Sequence, residues 1–244
     1  MNRVIGIIPA RKGSKRVHDK NFRDFAGKPL FSWVMEAALQ ASTLSDIALS
    51  TDHKGIIDFA TLHYDKVICI ERPEKFSMDD SPAIDYVNHT LGHFLEKYKK
   101  SFDVVVILQP SSPFTLAEDI DNTVNLLLKS GAETAVTVVR LDHMVHPVKM
   151  KTMGDQNRLH SFLEEENGRM SAEELPEIYV RNCSVYATRM ETIRKNQVIG
   201  ADCRGYIMPR ERSLDINEMI DFDFAEYMAL KKKTSNKIED ASSS

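Results

Sequence analysis

Apolar runs of strand length alternate with apolar-periodic stretches of helix length along most of the chain, and this alternation constrains the fold more than any other feature. The clearest strand is Val104–Leu108, five consecutive branched aliphatic residues. Such a run has no polar face, so it suits a strand buried on both sides of a parallel sheet. Residues 4–9 form an earlier β-rich run, and in 30–41 Leu30, Trp33, Val34, Ala37, Ala38 and Ala41 recur at helical spacing. Strands are expected at 47–50 and 66–70, with a helix over 55–63 between them. A helix over 81–98 opens on Ser81-Pro82, read as N-cap and first helical residue. A helix over 117–130 and a strand over 134–139 continue the pattern. The expected fold is therefore α/β, a Rossmann-like, doubly wound, mostly parallel sheet.

The rhythm breaks after Arg140. Residues 141–177 are polar and weakly periodic, with turns at His146-Pro147 and Asn167-Gly168, and read as a small insertion or dimerisation arm. Strands at 179–187 and 205–208 and a closing helix over 222–231 resume the alternation, and the polar residues 232–244 read as a flexible tail. This gives one domain over 1–231 with 141–177 as its insertion.

Composition narrows the function. A net charge of −4 provides no broad basic field, which argues against nucleic acid as a partner. No stretch approaches the roughly 18 apolar residues of a membrane span, and the first apolar run is short and leads straight into charges, unlike a signal peptide. Cys69, Cys183 and Cys203 are scattered and odd in number, as expected of reduced thiols in a cytoplasmic protein. An anionic ligand must then be held by a local cluster of cations.

One such cluster follows the first strand. Between Ala10 and Asn21 stand Arg11, Lys12, Lys15, Arg16 and Lys20, with Gly13-Ser14 among them. In open α/β sheets ligands sit at the carboxyl ends of strands. Gly13 allows close backbone approach or a positive φ, Ser14 supplies a hydroxyl, and successive N–H groups of a turn can form an anion-binding nest. The charge suits a triphosphate. The loop matches neither GxxxxGK[ST] nor GxGxxG, which removes the main support for ATPase and dinucleotide-dehydrogenase readings.

Ile8-Pro9-Ala10-Arg11-x-Gly13-Ser14-Lys15-Arg16, with Lys20-Asn21, resembles the signature of the N-acylneuraminate (CMP-sialic acid) cytidylyltransferases, close to CMP-nonulosonic acid synthetases. The resemblance continues through Ser50-Thr51-Asp52, Arg72-Pro73-Glu74, Leu108-Gln109-Pro110-Ser111-Ser112-Pro113-Phe114, His146-Pro147-x-Lys149 and Leu214-Asp215-Ile216-Asn217, in order and over nearly the whole chain. It implies transfer of CMP from CTP to a 2-keto-3-deoxy sugar acid by a Mg²⁺-dependent homodimer. It implies that Ala10, Arg11, Gly13, Ser14, Lys15, Lys20 and Asn21 contact the nucleotide and its phosphates, that Arg72 and Ser81 line its pocket, and that Arg11, Lys20, Gln109 and Asp215 carry the chemistry. Arg72 reads equally as an exposed loop arginine, and Gln109 as a strand cap. Asp215 and Asn217 stand at the family's Asp-Ile-Asp metal motif, although Asp215 also fits a helix N-cap.

Gln109, Lys149, Arg169, Arg181 and Tyr186 are the expected acceptor contacts, and His18, His143 and His146 the candidate bases. Three positions depart from the family pattern: Asn217 for the second aspartate, Cys183 for the glycine of an Asn-Gly pair, and Ala172 for an arginine. Kdo, a pseudaminic or legionaminic acid and a phosphonate remain alternative acceptors. A nucleotide-binding homologue with weakened metal chemistry is the rival motivated by Asn217.

Overall fold

The structure, a computed structural model, describes residues 2–163 and 175–242, with side chains of the closing helix described to residue 234. In chain order the elements are β1 Val4–Pro9, β2 Asp24–Phe25, β3 Lys28–Pro29, α1 Phe31–Gln40, β4 Asp46–Thr51, α2 Lys54–His63, β5 Val67–Glu71, α3 Ala83–Tyr98, β6 Val104–Leu108, α4 Ala117–Ser130, β7 Thr134–Arg140, β8 Lys151–Met153, β9 Leu159–Ser161, β10 Tyr179–Arg189, α5 Met190–Arg194, β11 Cys203–Ile207 and α6 Met219–Ser242. Seven strands form the central sheet in the order β11-β7-β10-β6-β1-β4-β5. β10 runs antiparallel to both β6 and β7, and the other pairings in that sheet are parallel.

Strand alternation explains the double-sided core. Val104, Val106 and Leu108 point into one buried cluster with Phe31, Val34 and Val124, beneath α1 and α4. Val105 and Ile107 point into the other, with Ile5, Ile7, Val87 and Phe94, beneath α3. The uninterrupted apolar run at 104–108 is thus what a strand needs when helices cover both faces. An added Cβ on Gly6 of β1 would stand 2.9 Å from Leu44 Cδ1, so the leucine side chain would have to shift to admit it.

A third cluster decides where the site lies. Val17, Phe25, Leu30, Ile216, Phe222, Ala225 and Ala229 pack together with Trp33 and Phe114 beside them. It joins the loop after β1, the β2–β3 hairpin and α6 into one apolar plug at the carboxyl end of the sheet.

Local boundaries differ from the sequence reading in three places. α3 begins at Ala83 with Pro82 at its N-cap and no side-chain cap, because the Ser81 hydroxyl is taken by the Met78 N–H and the Lys75 carbonyl, each at 3.1 Å. α6 runs on to Ser242, past residue 231. Lysine is a good helix former, and Lys233 reaches the Ala26 carbonyl at 2.5 Å while lying over the Trp33 ring. In the 141–177 insertion, β8 and β9 pair as a short antiparallel hairpin whose residues are all exposed.

Candidate functional site

β1 is flanked by β4 on one side and β6 on the other, so the chain reverses its winding direction between β1 and β6. The loops leaving these two strands part there, and a cleft of about 570 Å³ opens between them. From the β1 loop it is lined by Arg11, Ser14, Lys15, Arg16, Lys20 and Asn21, and from the end of β6 by Gln109, Pro110 and Ser111. Arg72, Ser81 and Asn217 complete the set of expected residues that meet in this space.

The loop is braced residue by residue. Ala10 is fully buried; its N–H donates to the Ser50 carbonyl at 2.9 Å, and its own carbonyl accepts from the Thr51 hydroxyl at 2.5 Å. Asn21, also buried, donates its amide to the Arg11 carbonyl at 2.9 Å, so it shapes the loop as well as lining the cleft. The backbone nest expected here is partly spent. The Lys12 N–H donates to Asp52 at 2.7 Å, and the Ser14 N–H to the Lys12 carbonyl at 2.9 Å. Nor does Gly13 use a left-handed conformation, which the structure records only at Gly27 and Gly131 among the described glycines. An added Cβ on Gly13 would meet nothing within 4 Å. The N–H groups of Lys12 and Ser14 are thus already engaged within the protein.

Lys20 links the two halves of the site. Its ammonium donates to the Ile216 carbonyl at 2.6 Å. Burial lowers its pKa below the ordinary lysine value, with Arg16 and Arg11 adding to the fall and Asp215 and Asp221 opposing it. Ile216 is itself fully buried in the apolar plug, and its N–H donates to the Ser111 carbonyl at 2.9 Å. Asp215 and Asn217 are therefore held on either side of an anchored residue. Asn217 Nδ2 donates to Asp215 Oδ2 at 2.8 Å, and Asn217 Oδ1 accepts from Arg16 at 3.4 Å. Asp215 Oδ1 is buried with no hydrogen-bond partner among the described residues. Asp215 does not cap the closing helix; Asp221 accepts from the N–H groups of Asn217 and Glu218 at 2.9 and 2.8 Å instead.

Arg72 is buried, not an exposed loop residue. It donates to the Ser50 carbonyl at 2.6 Å and lies 4.9 Å over the Tyr86 ring. Desolvation pulls its pKa below the ordinary arginine value and pushes that of the Tyr86 hydroxyl well above the usual phenol range. Tyr86 lines the cleft, as do Phe76 and Asp79, and the sequence pattern singled out none of the three. Tyr86 stands four residues beyond Pro82 on what reads as one helix face; its proximity to Arg72 arises only when α3 packs on β1 and β4. Asp79 ion-pairs with Arg11 at 2.7 Å and Lys15 at 2.5 Å, and hydrogen bonds from Lys15 first and Arg11 next hold its carboxyl below the usual carboxylate range.

The acceptor residues are less gathered. Lys149, Arg181 and Tyr186 lie outside the lining of the nucleotide cleft, and Arg169 and Ala172 lie outside the described residues. Lys149 meets His143 at 3.0 Å on the insertion. The Tyr186 hydroxyl is raised above its ordinary pKa first by burial and then by Cys183, with Arg181 and Asp215 also within electrostatic reach. Cys183 adopts φ 62° where the β10–β7 register shifts, a left-handed conformation that costs a non-glycine residue about 1 kcal/mol. Asn182 secures it by donating to the Ser213 hydroxyl at 2.9 Å, beside the segment that carries Asp215. None of His18, His143 and His146 lines the cleft; His146 caps a turn by accepting from the Val148 N–H at 3.3 Å.

The Tyr86 hydroxyl has no hydrogen-bond partner among the described residues, a situation that is destabilising for a dry polar group. Tyr86→Phe keeps the ring beneath Arg72 and removes only that hydroxyl. Its unfolding free energy in urea is expected to rise by about 1 kcal/mol, and an unchanged or lower value would show that the hydroxyl is satisfied in solution.

Comparison with known proteins places the chain in a family. The sequence model of the cytidylyltransferase family matches residues 5–238. The chain is 33% identical over 236 residues to the CMP-N,N'-diacetyllegionaminic acid synthase of Legionella pneumophila, covering 95% of each protein. It is 26% identical over 230 residues to the N-acylneuraminate cytidylyltransferase of Escherichia coli, covering 94% of this chain and 53% of that longer protein. The fold superposes on CMP:2-keto-3-deoxy-manno-octonic acid synthetase, solved in complex with CTP, with a TM-score of 0.68 at 16% identity, covering 94% of this chain and 99% of the other. The chain belongs to the cytidylyltransferase family.

Proposed function

We propose that this enzyme transfers CMP from CTP to the anomeric hydroxyl of a 2-keto-3-deoxy sugar acid of the sialic-acid-like, nonulosonic class, releasing pyrophosphate. The observation that carries the reading is the convergence of the β1-loop cations, Gln109 and Asn217 on one cleft at the switch point of the sheet, with Asp215 beside Asn217 but lining the neighbouring pocket. The sugar-acid class follows from the similarity to the Legionella synthase over 95% of both chains.

In this reading Arg11, Lys15, Arg16 and Lys20 surround the triphosphate and offset charge gathering on the departing pyrophosphate. Lys20 acts from a fixed position because its ammonium is tied to the Ile216 carbonyl. Arg72 and Tyr86 line the same cleft, and Phe76 and Ala83 give it apolar wall suited to the nucleoside. Gln109, leaving the most buried strand, lies between the nucleotide and the acceptor side. Lys149, Arg169, Arg181 and Tyr186 are proposed to recognise the sugar acid, the cations through its carboxylate.

A Mg²⁺ ion fits the residues present. Asp215 Oδ1, without a hydrogen-bond partner among the described residues, is a hard anionic donor, and the Asn217 amide can add an oxygen. Among the described residues no three His, Cys, Asp or Glu side chains are arranged to hold a metal, so phosphate oxygens and water must supply the other ligands. When bound, the ion would neutralise charge on the phosphates.

We also propose a cytoplasmic homodimer. Among the described residues no helix is long and apolar enough to cross a membrane. The insertion exposes Met144, Met153, Leu159 and Phe162, and α6 exposes Ile220, Phe224 and Tyr227 along one face. Apolar side chains presented together in this way are what an interface covers.

Two experiments test these readings. Pyrophosphate release with CTP, ATP, GTP or UTP and a panel of nonulosonic acids, Kdo and a phosphonate should show turnover with CTP and a nonulosonic acid. Turnover with the phosphonate alone would sink the sugar assignment. In the same assay Asn217→Asp should lower the Mg²⁺ concentration needed for half-maximal rate. Tight CTP binding without turnover in the wild type, restored by Asn217→Asp, would instead favour the weakened homologue. Sedimentation at micromolar concentration should give a mass near twice that of the chain; a monomer there would remove the dimer.

A further inference from the structure

The cleft that gathers the phosphate-binding cations already contains an anion of its own. Asp79 follows the short 3-10 turn at Glu74–Phe76 and splits its carboxylate between two cations of the basic loop, Oδ1 at 2.7 Å from the half-buried Arg11 Nη1 and Oδ2 at 2.5 Å from the exposed Lys15 Nζ. Arg11 Nη1 also reaches the Ser77 carbonyl at 3.4 Å. The backbone around Asp79 is pinned, since the Ser81 hydroxyl accepts from the Met78 N–H and donates to the Lys75 carbonyl. A carboxylate spanning two cations presents its oxygens much as the non-bridging oxygens of a phosphate do. Asp79 and a terminal phosphate therefore compete for the same donors.

Exposure decides which of them wins. The side chains of Asp79 and Lys15 are 43% and 84% exposed, so their contact is a solvent-screened pair, and such pairs are weak. A triphosphate, with several charges and contacts to Lys20 and Arg16 besides, displaces it; pyrophosphate, once cleaved from the nucleoside, holds on through fewer contacts.

We propose that Asp79 is an affinity-setting residue of the polyphosphate subsite, an internal anion that occupies Arg11 and Lys15, yields them to CTP, and competes for them again as pyrophosphate departs. This rests on the reading of the cleft as a CTP site, and no covalent step is involved. Asp80, the adjacent carboxylate, makes no ion pair among the described residues and serves as the control for simple loss of charge.

Calorimetric titration of the full chain with inorganic pyrophosphate, at fixed low ionic strength, separates the cases. Asp79→Asn should bind pyrophosphate about fivefold more tightly than wild type, and Asp80→Asn should stay within about twofold. Turnover by Asp79→Asn should show correspondingly stronger inhibition by added pyrophosphate. Equal or weaker pyrophosphate binding by Asp79→Asn, or an equal gain in Asp80→Asn, overturns the proposal. A parallel titration of wild type with CTP keeps the two readings apart. If CTP does not bind, the nucleotide reading fails; if CTP binds and the two variants behave alike, only the role of Asp79 fails.

Discussion

The burial of Ile216 is the constraint on which the rest of the site depends. Its side chain is fully enclosed by the cluster of Val17, Phe25, Leu30 and Phe222, its N–H is held by Ser111 and its carbonyl by Lys20. One apolar residue thus ties together the loop after β1, the loop after β6 and the entry to α6. Asp215 and Asn217, its neighbours in sequence, inherit that rigidity without needing many contacts of their own. The price is a desolvated lysine, whose depressed pKa reflects an ammonium drawn out of water towards a backbone carbonyl.

Around this anchor the chain separates two kinds of electrostatics. Deep in the cleft, Arg72 is buried and supported by the Tyr86 ring and the Ser50 carbonyl, a fixed guanidinium with little freedom to reorganise. At the mouth, Arg11 and Lys15 are more exposed and share Asp79, an arrangement that can rearrange at small energetic cost. A fixed, buried cation and an adjustable, exposed pair follow from where each cation sits relative to water. Part of the backbone nest expected in the loop is spent for the same kind of reason: Asp52 and the Lys12 carbonyl take the N–H groups of Lys12 and Ser14.

Much of this was legible in the residues alone. The runs at 4–9 and 104–108 became adjacent central strands, because a segment apolar on both faces is stable only where helices cover both. The cations between Arg11 and Lys20 lie at a strand end, and in this topology a strand end next to a winding reversal is a cleft. Boundaries were less legible where a side chain found a distant partner. Ser81 reads as an N-cap locally, yet its hydroxyl is engaged by the preceding turn; residues after 231 read as a tail, yet Lys233 reaches Ala26.

What the sequence determined by itself was the fold class, the cytidylyltransferase family and the position of the basic loop at the end of the first strand. These depend on periodicity, on charge density within ten residues and on motif order, all of which are local or ordered along the chain. What only the tertiary structure decided was which groups distant in the chain meet: Lys20 on Ile216, Tyr86 beneath Arg72, and Asp79 on Arg11 and Lys15. Each such contact brings together atoms from separate elements, and its existence depends on packing distances of a few ångströms that residue order does not encode.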